Sequence, residues 1–353
     1  MTWIVKDLEA LVRYLAGKAT TYGPVGTDRI VFEELPEGSE LNTARRSDVS
    51  ARHVFQPMTH YYLKFKDGPS ADPSFEDFDG APRVVVGLRP CDIQALRVHD
   101  SVFGESESYR ALRDATVIVG YLCSRYEPSC FCDSVGGDPL SREGMDAVIY
   151  PVSEGYAITA ETERGKKLLE GVPFRTLDRA PEPAFEDAEH PTLDTAGLSD
   201  SAARLEDSEI WSEIGFPCVA CRVCTYVCPT CHCFTVTDEA FGTRAGRAVV
   251  WDSCQNEAFT KEASGHNPRG VKAARVRQRL LHKFSYYPTA HGDLMCSGCG
   301  RCIAGCPTGR NLIEELELLK SRGPSLPVGE GEEARRDRPS GDDVRVAEGA
   351  ERP

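Results

Sequence analysis

Cys218-Val219-Ala220-Cys221-Arg222-Val223-Cys224-Thr225-Tyr226-Val227-Cys228-Pro229 is a run of four cysteines closed by a proline. The pattern recurs as Cys296-Ser297-Gly298-Cys299-Gly300-Arg301-Cys302-Ile303-Ala304-Gly305-Cys306-Pro307. Three thiolates at steps of three wrap one cubane iron–sulfur cluster, and the fourth, followed by proline, reaches across to the other cluster. The duplicated run therefore predicts two [4Fe–4S] clusters, one on Cys218, Cys221, Cys224 and Cys306, the other on Cys296, Cys299, Cys302 and Cys228. Paired zinc sites also use four cysteines. Zinc, however, takes two C-x-x-C knuckles and has no need of four stepped cysteines ending in Cys-Pro. The first inference is an electron carrier.

The chain holds fifteen cysteines in 353 residues. In a chain that is not exported, this points to metal or redox work rather than disulfides. Lys6, Asp7 and Glu9 interrupt the only apolar stretch at the N-terminus, so no signal peptide is expected and the compartment is expected to be the cytoplasm. No apolar run is long enough to span a membrane. A net charge of −14 argues against nucleic acid as a partner. The basic stretch from Arg269 to Lys283 has no interleaved stacking aromatics, so it does not reverse that conclusion. Its cations either stabilise reduced clusters nearby or form a solvated helix face or docking surface.

Upstream of the duplicated motif, apolar residues at 4, 5, 8, 11, 12 and 15 have the spacing of an amphipathic helix over 4–17. Tyr22 to Leu35 reads as a turn and a strand. Arg83–Leu88 and Thr116–Tyr121 are β-branched runs with little alternation, which predicts buried strands covered on both faces. A helical stretch from Asp92 to His99 follows the first, as in a βαβ unit with parallel strands, and 161–171 reads as another helix. Cys91 follows the first strand and Cys123 the second, so parallel neighbours would deliver both thiols to one carboxyl edge, where open α/β sheets place ligands. Cys130 and Cys132 lie in the next loop. These four thiols are the expected ligands of a third cluster, against the alternative of ordinary buried cysteines.

Cys231, Cys233 and Cys254 remain. They either ligate something together or pack around the cluster below, and one of them could replace an N-terminal ligand. Cys228-Pro229-Thr230-Cys231-His232 also fits a haem-attachment string, but Cys228 is already needed by the cluster motif. The chain has no G-x-G-x-x-G after a strand, no P-loop and no convincing nucleophile or acid–base pair. The expected architecture is an α+β or α/β N-terminal domain over 1–177 and a linker over 178–203. A mainly α-helical dicluster ferredoxin-like domain over 204–322 follows, then a disordered tail over 323–353.

These motifs resemble the iron–sulfur beta subunits of cytoplasmic sulfhydrogenases, the NAD(P)-linked nickel–iron hydrogenases, a family that includes an iron–sulfur subunit of anaerobic sulfite reductase. The resemblance covers roughly residues 20–315. It rests on Tyr22-Gly23-Pro24-Val25, Gly87-Leu88-Arg89-Pro90-Cys91-Asp92 and Cys130-Phe131-Cys132. It rests further on Cys228-Pro229-Thr230-Cys231-His232-Cys233-Phe234, Trp251-Asp252-Ser253-Cys254 and Gly265-His266-Asn267-Pro268-Arg269. It implies a non-catalytic relay that joins a flavin- and NAD(P)-binding subunit to the nickel–iron large and small subunits, or to a sirohaem subunit in the sulfite reductase. The hydrogenase complex is the favoured reading. A stand-alone ferredoxin-like carrier and a zinc-stapled interaction module are the readings from other classes.

Overall fold

The computed structural model describes residues 1–65 and 80–323. The expected disordered tail lies, apart from Gly323, outside the described residues. The N-terminal half is built on one eight-stranded sheet. Its strands are β1 (Thr2–Val5), β2 (Thr20–Val25), β3 (Val31–Glu34), β5 (Arg83–Leu88), β6 (Thr116–Tyr121), β7 (Ala147–Val152), β8 (Gly155–Ala160) and β9 (Arg175–Leu177), with β4 (Thr59–Phe65) set apart in a second sheet. The spatial order is β3-β2-β5-β6-β7-β8-β1-β9. The central strands β2, β5, β6 and β7 run parallel, and the remaining pairings are antiparallel.

Arg83–Leu88 and Thr116–Tyr121 are parallel neighbours, with Arg83 opposite Thr116 and Val86 opposite Val119. Their apolar runs have little alternation because both faces are covered. Val84 and Val86 face a core containing Leu8, Leu11, Val12 and Leu15, whereas Val85 and Leu88 face one containing Val54, Phe55, Ile93 and Leu96. The helices of this half are α1 (Leu8–Ala16), α2 (Arg52–Phe55), α3 (Pro90–Phe103), α4 (Glu107–Ala115) and α5 (Glu163–Leu168). The helix expected over 4–17 begins only at Leu8. Ile4 and Val5 belong to β1, and Asp7 accepts a 2.8 Å hydrogen bond from the Ala10 amide, which fixes the helix start.

Of the linker expected over 178–203, residues 178–197 contain neither helix nor strand but are fastened down, and a helix begins at Leu198. Tyr150 donates to Pro181 O (2.8 Å), the Glu186 amide to Ser124 O (2.8 Å) and the Leu193 amide to Ser134 Oγ (3.0 Å). This strap crosses the loops at the carboxyl edge of the sheet.

The second half carries α6 (Leu198–Arg204), α7 (Ile210–Gly215), α8 (Val223–Tyr226), α9 (Lys272–Leu281), α10 (Tyr287–His291), α11 (Arg301–Ala304) and α12 (Leu312–Arg322). The expectation of a mainly helical domain needs correction. Two eight-residue strands, β10 (Phe234–Phe241) and β11 (Arg244–Trp251), form a hairpin. β11 also pairs with β4 from the first half, giving the order β10-β11-β4. The signals were local: Thr235-Val236-Thr237 and Val249-Val250-Trp251 favour strand, and Gly242 (φ 60°) makes the turn. The pairing with β4 ties the two halves together, so neither is closed at the expected boundary.

Candidate metal centre

The two cysteine motifs repeat in backbone as well as in sequence. In the first, Ala220 and Arg222 have left-handed φ of 54° and 69°; the matching Gly298 and Gly300 have 59° and 68°. Each bend turns an amide onto the first thiol of its motif, Ala220 N to Cys218 Sγ (3.3 Å) and Gly298 N to Cys296 Sγ (3.5 Å). The short helices α8 and α11 then carry the third cysteine of each run. Glycine is obligatory only in the second copy. A Cβ on Gly298 would lie 2.5 Å from Cys132 Cα, and one on Gly300 would lie 2.0 Å from Ser129 O. The second motif is pressed against the 129–132 loop of the first half, and Phe131 N donates to Gly298 O (2.8 Å).

Three recesses gather the cysteines. The first, about 490 Å³, is lined by Cys218, Cys221, Cys224 and Cys306. The second, about 310 Å³, is lined by Cys228, Cys296, Cys299 and Cys302. The third, about 600 Å³, is lined by Cys91, Cys123, Cys130 and Cys132, together with Arg46, Arg89 and Cys299. Each four-thiol set named from the sequence thus borders one recess. Among the described residues, no three His, Cys, Asp or Glu side chains draw together closely enough to hold a single ion. Thiols spaced around a recess, with amides already turned towards sulfur, fit a polynuclear cluster.

The recesses adjoin. Cys302 and Arg279 border both the first and the second, and Cys299 borders both the second and the third. Arg301, beside Cys299, is fully buried and forms an ion pair with Asp92, beside Cys91 (Nη1–Oδ1, 2.7 Å). Arg301 also donates to Ser47 O and Ser47 Oγ (2.8 and 2.9 Å). A buried pair across the two halves fixes where the second and third recesses sit relative to each other.

The basic stretch is resolved by its helical period. Arg275, Arg279 and Lys283 recur every four residues and are buried, so they form the inward face of α9 and the π-helical turn His282–Tyr286 that continues it. The Lys283 ammonium donates to Cys228 Sγ (3.4 Å), Thr230 Oγ1 (2.6 Å) and Met295 O (3.0 Å). Lys272, at the start of α9, donates to Cys218 O (2.8 Å). The alternative of a wholly solvated face does not hold for these residues.

Burial pushes the Cys296 and Cys132 thiols up to about 12, and those of Cys302 and Cys123 to about 11. Cys228 moves the other way: a hydrogen bond from Cys231 lowers it well below the usual thiol range, and Lys283 and Arg279 assist. The raised thiols would lose their protons on binding a metal, so loading would release protons. Arg301, Arg52 and Asp92 were missed in the sequence. Their contacts span long separations, as in Arg301–Asp92, 209 positions apart, and no local pattern marks them.

Residues 217–310 match the family model described as a 4Fe-4S dicluster domain. Over 317 residues the chain is 28% identical to sulfhydrogenase 2 subunit beta of Pyrococcus furiosus, covering 84% of this chain and 90% of that one. No solved structure gives a significant match. These likenesses support an electron-transfer iron–sulfur subunit with [4Fe–4S] clusters.

Proposed function

We propose that this chain, an iron–sulfur protein similar to sulfhydrogenase beta subunits, holds three [4Fe–4S] clusters in line and relays single electrons through a hydrogenase complex. The observation that carries this reading is the continuity of the three cysteine-lined recesses, the middle one sharing Cys302 with the first and Cys299 with the third. In this reading Cys218, Cys221, Cys224 and Cys306 hold the first cluster and Cys228, Cys296, Cys299 and Cys302 the second. Cys91, Cys123, Cys130 and Cys132 hold the third. Bound clusters supply reversible one-electron chemistry.

The chain's own residues do the rest. The turned amides of Ala220 and Gly298 donate to sulfur. Arg279, which borders the first two recesses, and Lys283, which lines the second, offset negative charge there, and Arg301–Asp92 holds the third against the second. The protein's share of such chemistry is to position and tune its redox centres. The proposed partners are, at one end, a flavin- and NAD(P)-binding subunit, with nickel–iron subunits at the other. Among the described residues no helix is long and apolar enough to cross a membrane.

Anaerobic reconstitution should give about twelve iron and twelve sulfide per chain by the ligand arithmetic of three cubanes. Cys91→Ala should remove about four iron while the electron paramagnetic resonance signals of the other centres persist. Unchanged iron in Cys91→Ala and in Cys130→Ala would overturn the third site. Stoichiometric zinc in place of iron would overturn the whole reading. In the assembled complex, Cys224→Ala or Cys299→Ala should stop electron passage from NAD(P)H while flavin reduction survives; passage that continues would remove this chain from the electron path.

A further inference from the structure

The strap over residues 178–197 grips the loop that carries Cys130 and Cys132 at both of that loop's ends. At one end the Tyr126 ring, which lines the third recess, is held between two strap rings. Phe185 meets it edge-on (centroids 5.2 Å apart, 86°), and His190 lies flat against it (3.6 Å, 21°). Beside Tyr126, Arg125 and Glu186 form a β-bridge, and the Glu186 amide donates to Ser124 O (2.8 Å). At the other end, next to Cys132, His190 Nε2 is paired with Asp133 Oδ2 (3.0 Å), and the Leu193 amide donates to Ser134 Oγ (3.0 Å). His190 thus touches both ends of the loop, with its side chain only 12% exposed.

The partners of this imidazole fix its charge. Nε2 faces a carboxylate oxygen and Nδ1 faces Ala188 O (3.0 Å), and both oxygens can only accept. A neutral ring has one N–H and satisfies one of them, whereas the imidazolium satisfies both. The cation also lies over the negative face of the Tyr126 ring. The titratable groups against it are Asp133 and Tyr126 from the loop and Asp187 from the strap. Burial pushes the Tyr126 phenol up to about 12, so it stays neutral across the range in which His190 titrates. Burial also disfavours the His190 charge, but the hydrogen bonds to Asp133 and Ala188 and the nearby Asp187 outweigh it and hold the ring above its ordinary value of 6.5.

We propose that protonated His190 is a clasp that closes the strap on the third recess, and that loss of its proton releases the strap and opens the recess to solvent and metal. The ring binds its proton more tightly in the closed state than in the open one. The clasp is therefore complete below about pH 6.5 and is lost as pH rises through the raised value. That direction sets it apart from the ligands themselves, since thiolates protonate and leave a metal in acid. The proposal rests on the third-site reading for what the recess holds, and the clasp itself stands on the strap contacts alone.

The test is hydrogen exchange on the full reconstituted chain, read as protection factors of the Glu186 and Leu193 amides. It is run at about pH 6 and about pH 8.5, either side of the ordinary imidazole value. Wild-type protection should fall about tenfold between the two, the worth of one charge-assisted hydrogen bond. His190→Gln should stand at the lower level at both. Asp133→Asn, whose carboxamide accepts from one neutral tautomer and donates to the other, should show no change with pH. Anaerobic release of iron to bathophenanthroline disulfonate should follow the same pattern for about four iron per chain. Wild-type protection equal at both pH values, or a pH-dependent fall that survives in His190→Gln, overturns the proposal. Iron release that ignores His190 while the amides respond overturns the link between clasp and recess. Failure of the third-site reading shows separately, as equal iron in Cys91→Ala and wild type.

Discussion

Replacing Gly300 by alanine tests the claim that the second motif is held against the 129–132 loop. Gly300 has φ 68°, and a Cβ there would meet Ser129 O at 2.0 Å and Ser129 C at 2.5 Å. The left-handed conformation costs a non-glycine residue about 1–2 kcal/mol. Overlap with backbone cannot be relieved by rotating a side chain, and overpacking of this kind adds about 1–3 kcal/mol. The variant should therefore lose about 2–5 kcal/mol at the contact. Hydrogen exchange reads this locally through the Phe131 amide, which donates to Gly298 O. At 1.4 kcal/mol per tenfold, its exchange should accelerate by about thirtyfold or more. Arg222→Ala is the control. It stands at the matching position (φ 69°), is exposed and is already non-glycine, so its own loop should exchange within about threefold of wild type. The reasoning fails if Phe131 exchange is unchanged in Gly300→Ala, or if Arg222→Ala disturbs the Phe131 amide as much.

Asp92→Ala leaves the buried Arg301 guanidinium without its ion-pair partner and should cost about 3–5 kcal/mol in a denaturant titration. Adding Arg301→Met should recover part of that loss, and a purely additive double variant would contradict the pairing. Lys283→Gln removes a charge 3.4 Å from Cys228 Sγ and should lower the midpoint potential of the adjoining centre, on the order of 100 mV, in an electron paramagnetic resonance redox titration. An unmoved potential would mean that the charge is already compensated. Stability should also fall in acid through three neighbouring imidazoles. Burial lowers His99 to about 4, His232 to about 3 and His282 to about 4, all below the unfolded value near 6.5. The folded state therefore binds protons less readily than the unfolded state. The contribution is complete above pH 6.5 and is lost progressively as pH falls towards 4 and below. His99→Gln should flatten that slope, and a slope identical to wild type would exclude His99 as a source.

What the sequence disclosed, and what it hid, follow from the range of each interaction. Four cysteines at fixed steps are a local pattern because a cubane accepts thiolates only from a chain that curls around it, so both proposed ligand sets could be written from the sequence. The buried runs at 83–88 and 116–121 disclosed their strands because burial on both faces leaves no polar alternation. The pairing of β4 with β11 and the Arg301–Asp92 clamp were hidden, since each joins segments far apart in the chain. The strands at 234–251 had local signals, but the flanking cysteines pointed to a helical ferredoxin-like domain and outweighed them.

One long-range contact did leave a local trace. The repeats differ where their backbones agree: Ala220 and Arg222 in the first, Gly298 and Gly300 in the second, all left-handed. Since the bend itself tolerates a side chain in the first copy, the glycines of the second are not explained by the bend. They are explained by what lies against them, the backbone of Ser129 to Cys132. A difference between two copies of one motif thus marks the face on which the second copy is covered, and that face carries the junction between the second and third recesses. The first copy, with Cys221 and Arg222 exposed, has no such cover.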